Sequence, residues 1–189
     1  MNLIPQILIK IKERIIHAAL TIPSYHDLLL SLLILVLMSL ITLPLGTKSG
    51  FLQFNIPNAN FSLFARISII AFFFPSIAEE LFFRVIMLPH IHEQSSIKTK
   101  LIYSVISLIF FIVYHPINAL TFYPNALTTF TDLRFLLLAA ILGISCTIIY
   151  LFTGSLWIIT VIHWLCVITW LFMLGGYERL NPNVNLPPS

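Results

Sequence analysis

Apolar residues in this chain gather into long unbroken runs separated by short polar or turn-rich segments. Five runs stand out, at about Leu28 to Leu45, Ala65 to Leu88, Leu101 to Tyr114, Phe135 to Phe152 and Leu156 to Leu174. A helix needs roughly 20 apolar residues to cross the hydrocarbon core of a bilayer, so each run reads as a span, the third being the shortest. Lipid offers no partners to free backbone groups, which makes helices the expected form. The first twenty residues follow a different pattern. Ile4, Ile7, Leu8, Ile11 and Ile15 share one helical face, and Lys10, Glu13, Arg14 and His17 share the other. That is the pattern of a helix lying in the membrane surface. Lys10, Lys12, Glu13 and Arg14 interrupt what would be the apolar core of a signal peptide.

The expected fold is therefore all-α: a polytopic transmembrane helix bundle of about five spans behind an amino-terminal amphipathic interfacial helix. Residues 1–27 form the amphipathic segment, 28–175 the membrane domain and 176–189 a polar tail, expected to be disordered from Asn181 onward. Pro75 lies inside the second span, where its missing N–H predicts a kink and a wet pocket. Pro116 to Arg134, rich in Phe, Tyr, Thr and Asn, is expected at the interface, as is Phe51 to Phe64. No internal repeat is visible.

Composition agrees with the pattern. Of 189 residues 59% are hydrophobic and 9% charged, against roughly 25% charged in soluble domains. The chain reads as a multi-pass integral membrane protein whose surroundings are the lipid bilayer. The net charge of +3 is small and its basic residues are scattered, so nucleic acid is not an expected partner. Lys10, Lys12 and Arg14 before the first span, and Lys98 and Lys100 after the second, place the amino terminus in the cytosol. An odd span count then puts the carboxyl terminus outside. Cys146 and Cys166 lie far apart in apolar runs and read as packing residues.

Charge inside a span is costly and marks a functional site. Glu79, Glu80 and Arg84 lie in the second run, His115 closes the third, and His163 lies within the fifth. Glu80 and Arg84 stand at i and i+4, share a face and can pair. Glu79 is turned by about 100° and has Phe83 on its own face, which leaves it without an ionic partner. An isolated carboxylate of this kind suits a general base. Phe111 stands four residues before His115, so its ring can wall the imidazole. Glu79 and His115, if level, can hold a water between them, and His163 can donate to the oxyanion formed when that water attacks a carbonyl.

These residues resemble the CPBP intramembrane proteases, the family of the CAAX prenyl endopeptidases and bacterial Abi-type proteins. Glu79-Glu80-Leu81-Phe82-Phe83-Arg84 matches its EExxxR motif, and Phe111-Ile112-Val113-Tyr114-His115 its FxxxH motif. Ser155, Leu156, Trp157 and His163 match a third block, in which Val167 replaces the family's Asn or Asp. The similarity spans roughly Ala65 to Trp170. It implies an endopeptidase acting on a peptide or membrane-protein substrate, with Glu79 and His115 activating water, Glu80 and Arg84 in support, and His163 contacting the oxyanion. Trp164, Thr169 and Ser155 are nearby candidates for the donor that Val167 lacks.

A metal-independent mechanism without a cofactor is expected. If zinc is used instead, Glu79, His115 and His163 are its ligands. Two other classes also place such residues in a membrane. A proton-coupled carrier usually shows interrupted helices or repeated halves. A non-proteolytic interaction or immunity protein of the same family would keep the pocket without turnover.

Overall fold

The structure is a computed structural model that describes residues 3–57 and 60–181, and every regular element within them is helical. The elements are α1 (Leu3–Leu20), α2 (Tyr25–Lys48), α3 (Phe61–Ile86), α4 (Ile97–Thr121), α5 (Leu133–Thr153), α6 (Leu156–Met173) and α7 (Gly176–Leu180). Helices α2 to α6 are the five long and apolar enough to cross a membrane. The protein is an integral membrane helix bundle.

Caps set the boundaries. Ser24 and Asp27 form a capping box that starts α2, while Ser96 accepts from the Thr99 amide and Asp132 from the Arg134 amide at the starts of α4 and α5. Gly154 ends α5 in the left-handed region at φ 65°, with the His90 ring 2.8 Å from where a Cβ would stand. The span expected at Leu101 to Tyr114 is longer at both ends, running from Ile97 to Thr121 through Pro116. One lost hydrogen bond at proline costs less than leaving the helix altogether in an apolar setting.

Helix α3 is broken rather than bent. It is α-helical over Phe61–Ala71, widens to a π turn over Phe72–Ile77, makes one α turn over Ala78–Glu80 and widens again over Leu81–Ile86. Phe74 leaves the helical region (φ −136°, ψ 108°), and the Phe74–Pro75 peptide is cis. Ser76 Oγ donates to the Ala71 carbonyl at 2.8 Å, which satisfies a group released by the break.

The structure adds detail to two flanking segments. Phe51, expected at the interface, is 1 % exposed. Its ring stacks on Trp170 at 6.4 Å on one side and meets the Arg179 guanidinium at 4.5 Å. Arg134 Nη1 and Arg179 Nη2 hold the carbonyls of Ser49 and Gly50, and Asn55 bridges to Leu174. The tail predicted from residue 176 opens with the ordered turn α7, in which Gly176 and Tyr177 are buried. Residues 182–189 of that tail lie outside the described residues.

Helix α1 docks by the carboxyl-terminal part of its apolar face together with Arg14. Ala18 is buried, and Ile11, Arg14 and Ile15 are half-buried, while Ile4, Ile7 and Leu8 are exposed. Arg14, expected to face solvent, forks onto both Glu93 oxygens at 2.5 and 3.0 Å and donates to the Ile86 carbonyl at 2.7 Å. Lys10 adds a contact to Glu93 at 2.9 Å, and His17 stacks on His90 with ring centroids 5.6 Å apart. Burial alone would raise the Glu93 carboxyl, but hydrogen bonds from Arg14, the His90 amide and Lys10 pull it down to about 2. The end of α1 is tied to α6 by Trp157 Nε1 on the Ala19 carbonyl and by Ser155 Oγ on the Thr21 carbonyl.

Candidate active site

The break in α3 puts the two adjacent glutamates in different surroundings. Glu80 is fully buried and Arg84 is 1 % exposed. Arg84 Nη1 lies 3.2 Å from Glu80 Oε1, and Nη2 donates to the Gly143 carbonyl on α5 at 3.1 Å. The guanidinium carbon lies 4.4 Å over the Phe111 ring. Glu80 Oε1 also accepts from His163 Nδ1 at 2.7 Å. The expected Glu80–Arg84 pair is therefore present, enlarged by an imidazole, an aromatic face and a backbone carbonyl. Gly143 permits this approach, since a Cβ there would meet Leu108 at 2.9 Å, Arg84 Nη2 at 3.0 Å and Phe111 at 3.1 Å.

Glu79 is buried, and its Oε2 has no hydrogen-bond partner among the described residues. The nearest cationic candidate is His163 Nε2 at 3.9 Å, beyond hydrogen-bond reach. His163 thus bridges the pair of carboxylates, bonded to one and facing the other. With its Nδ1 proton on Glu80, a neutral ring presents a lone pair at Nε2, so His163 donates in that direction only as an imidazolium.

His115 comes from α4. Its Nδ1 donates to the Phe111 carbonyl at 2.8 Å, which leaves Nε2 as the acceptor of the neutral ring. Phe111 walls it at a centroid distance of 4.9 Å, as the i, i+4 spacing predicts, and Phe135 and Phe130 close other sides at 5.2 and 5.6 Å. Depth follows from the contacts between α3 and α4. Ser107 Oγ donates to the Phe83 carbonyl, and the Phe83 ring packs on Phe111 at 5.3 Å and Tyr114 at 5.6 Å. Glu79 precedes Phe83 by one turn, about 5 Å along an antiparallel neighbour, which sets it level with the Phe111–His115 turn. No direct hydrogen bond joins Glu79 to His115.

Glu79, His163, Glu80, Arg84 and Phe111 thus form one chain of contacts, with His115 attached through Phe111. Gly143, Phe135 and Tyr114 also belong to this centre, and the sequence reading did not include them in it. Only Gly143 carried a local signal, as a small residue inside an apolar span. Two substitutes suggested for the donor missing at Val167 are already engaged, Ser155 with Thr21 and Trp164 Nε1 with the Ser68 carbonyl at 2.8 Å, and Thr169 is exposed. Among the described residues, no three His, Cys, Asp or Glu side chains are arranged to hold a metal ion.

Comparison with curated proteins and with solved structures returns no match. A family model described as "Type II CAAX prenyl endopeptidase Rce1-like" matches residues 61–169, which is more than half of the chain and contains every side chain of the centre just described. The chain therefore belongs to the Rce1-like family of type II CAAX prenyl endopeptidases.

Proposed function

We propose that the protein is an intramembrane endopeptidase that hydrolyses a peptide bond with a water activated by Glu79 and His115. The observation that carries this reading is the unequal fate of two neighbouring carboxylates. Glu80 is held by Arg84 and His163, while Glu79 Oε2 is buried and unpartnered at the depth of His115. Glu79 takes a proton from water as the oxygen attacks the carbonyl carbon, His115 Nε2 orients that water, and the proton passes to the departing amine when the C–N bond breaks. His163, as an imidazolium, donates to the oxyanion.

The substrate is a peptide or membrane protein, and the family description makes a prenylated CAAX peptide the first to try. In the alternative mechanism zinc is held by Glu79, His115 and His163, with the Nε2 of each imidazole toward the metal and its Nδ1 on Glu80 or the Phe111 carbonyl. The amino terminus is placed in the cytosol by its lysines.

The test is cleavage of a farnesylated CAAX peptide by purified protein in detergent. Glu79→Gln should abolish turnover while the protein stays folded, and a strong chelator should leave the wild-type rate unchanged. A wild-type rate in Glu79→Gln would refute the role of the base. Loss of one zinc per chain together with activity, reversed on refilling, would transfer Glu79, His115 and His163 to the role of ligands.

A further inference from the structure

Tyr114 is half-buried between α3 and α4, and no hydrogen bond to its hydroxyl exists among the described residues. Its ring packs against Phe83 at 5.6 Å and His115 at 6.1 Å. Phe83 lies one turn from Glu79 on the same face, so this packing turns the phenol toward the Glu79 side of α4, at the depth derived above. Several other side chains near the centre are already engaged. Arg84 is committed to Glu80 and Gly143, Trp164 to Ser68 and Ser155 to Thr21, while Val167 has no donor to offer.

We propose that Tyr114 is a further catalytic residue, whose phenolic O–H donates a hydrogen bond to the oxyanion formed when water attacks the scissile carbonyl. This rests on the endopeptidase reading and deepens it. The phenol gives up no proton: the oxygen of water forms the new bond, Glu79 takes the proton, and Tyr114 stabilises the negative charge on the former carbonyl oxygen until the C–N bond breaks. A phenol suits this position because its rigid ring is fixed by Phe83 and His115 while its polar tip stays free. The residue is half-buried, so the ring is not sealed inside the bundle.

Tyr114→Phe removes the hydroxyl and keeps the ring. Steady-state cleavage of the farnesylated CAAX peptide should show kcat reduced by roughly 10²-fold, with KM within about twofold and the thermal midpoint unchanged. Unchanged kcat, or a loss confined to KM, would overturn the assignment. A second measurement separates this proposal from the reading beneath it: binding of the same peptide with a phosphinate in place of the scissile amide. Wild type should bind the phosphinate at least tenfold more tightly than Tyr114→Phe, while the two bind the uncleaved amide peptide of Glu79→Gln backgrounds alike. A wild-type protein that shows this preference without turnover would sink the endopeptidase reading and keep the donor. Equal phosphinate affinity would remove Tyr114 from the centre whatever the turnover.

Discussion

Glu79 and Glu80 are neighbours in sequence held in unlike surroundings, and their substitution should show it. Glu80→Gln leaves the Arg84 guanidinium, already short of a partner at Nε, in an apolar interior with its carboxylate gone. Breaking such a buried pair typically costs about 3 kcal/mol or more. Glu79→Gln breaks no ion pair and should unfold close to wild type. A thermal or denaturant series in one detergent checks this, and equal midpoints for the two variants would contradict the assignment. The Glu80–Arg84 pair and the isolation of Glu79 were legible in sequence because both follow from spacing on one helix. Gly143, Tyr114 and the Glu80–His163 bond were not, since each depends on which helices become neighbours. The same holds for the donors once suggested near Val167: Ser155 and Trp164 are close to it in sequence, yet their hydrogen bonds lead to other elements.

At the scale of elements, hydropathy located every span, while the ends were decided by capping residues such as Ser96 and by a proline that the helix absorbs. Amphipathicity located α1 but misjudged its contacts, because Arg14 and His17 find partners in the 86–93 segment that no local pattern reveals. Those partners make the docking of α1 sensitive to acid. Burial lowers His90 below its usual 6.5, so the folded state binds fewer protons than the unfolded one, and stability declines as pH falls through 6.5. Glu93, lowered from 4.5 to about 2, contributes stability that is complete above 4.5 and is lost as pH falls toward 2. Both act in the same direction. Backbone hydrogen exchange in α1 should therefore accelerate below about pH 6.5 and again below 4.5 relative to α5, after correction for the intrinsic rate. In Glu93→Gln the lower step should vanish. Exchange that keeps a constant ratio to α5 across this range would show that these contacts do not hold the helix.

At the scale of the whole molecule, an odd number of candidate spans would set α1 and α7 on opposite sides of a membrane. The 86–96 segment and the Gly154 turn join α1 on one side, and the Phe51 loop, the 122–132 turns and α7 gather on the other. With the basic side in the cytosol, Gln94→Cys should resist an impermeant maleimide in right-side-out vesicles and Tyr123→Cys should react. Native Cys146 is buried and Cys166 lies within α6, so neither should interfere. Labelling of Gln94→Cys alone would reverse the orientation. Charge bias predicts this orientation from sequence, whereas the packing of Phe51 and Trp170 on Phe135, which itself packs on His115, is a product of tertiary stacking.

The two widened turns of α3 each hold one more residue than an α-helical turn would, and the glutamates stand between them. Removing a single residue, Phe82 for example, would let the second turn relax to ordinary i to i−4 bonding and would improve the local backbone. It would also shorten the Glu80–Arg84 spacing from four residues to three and shift the guanidinium from the place where Gly143 and Phe111 receive it. Here the length of the chain is itself part of the chemistry: a one-residue deletion that regularises the helix dismantles the centre, so this stretch should tolerate changes of side chain far better than changes of length.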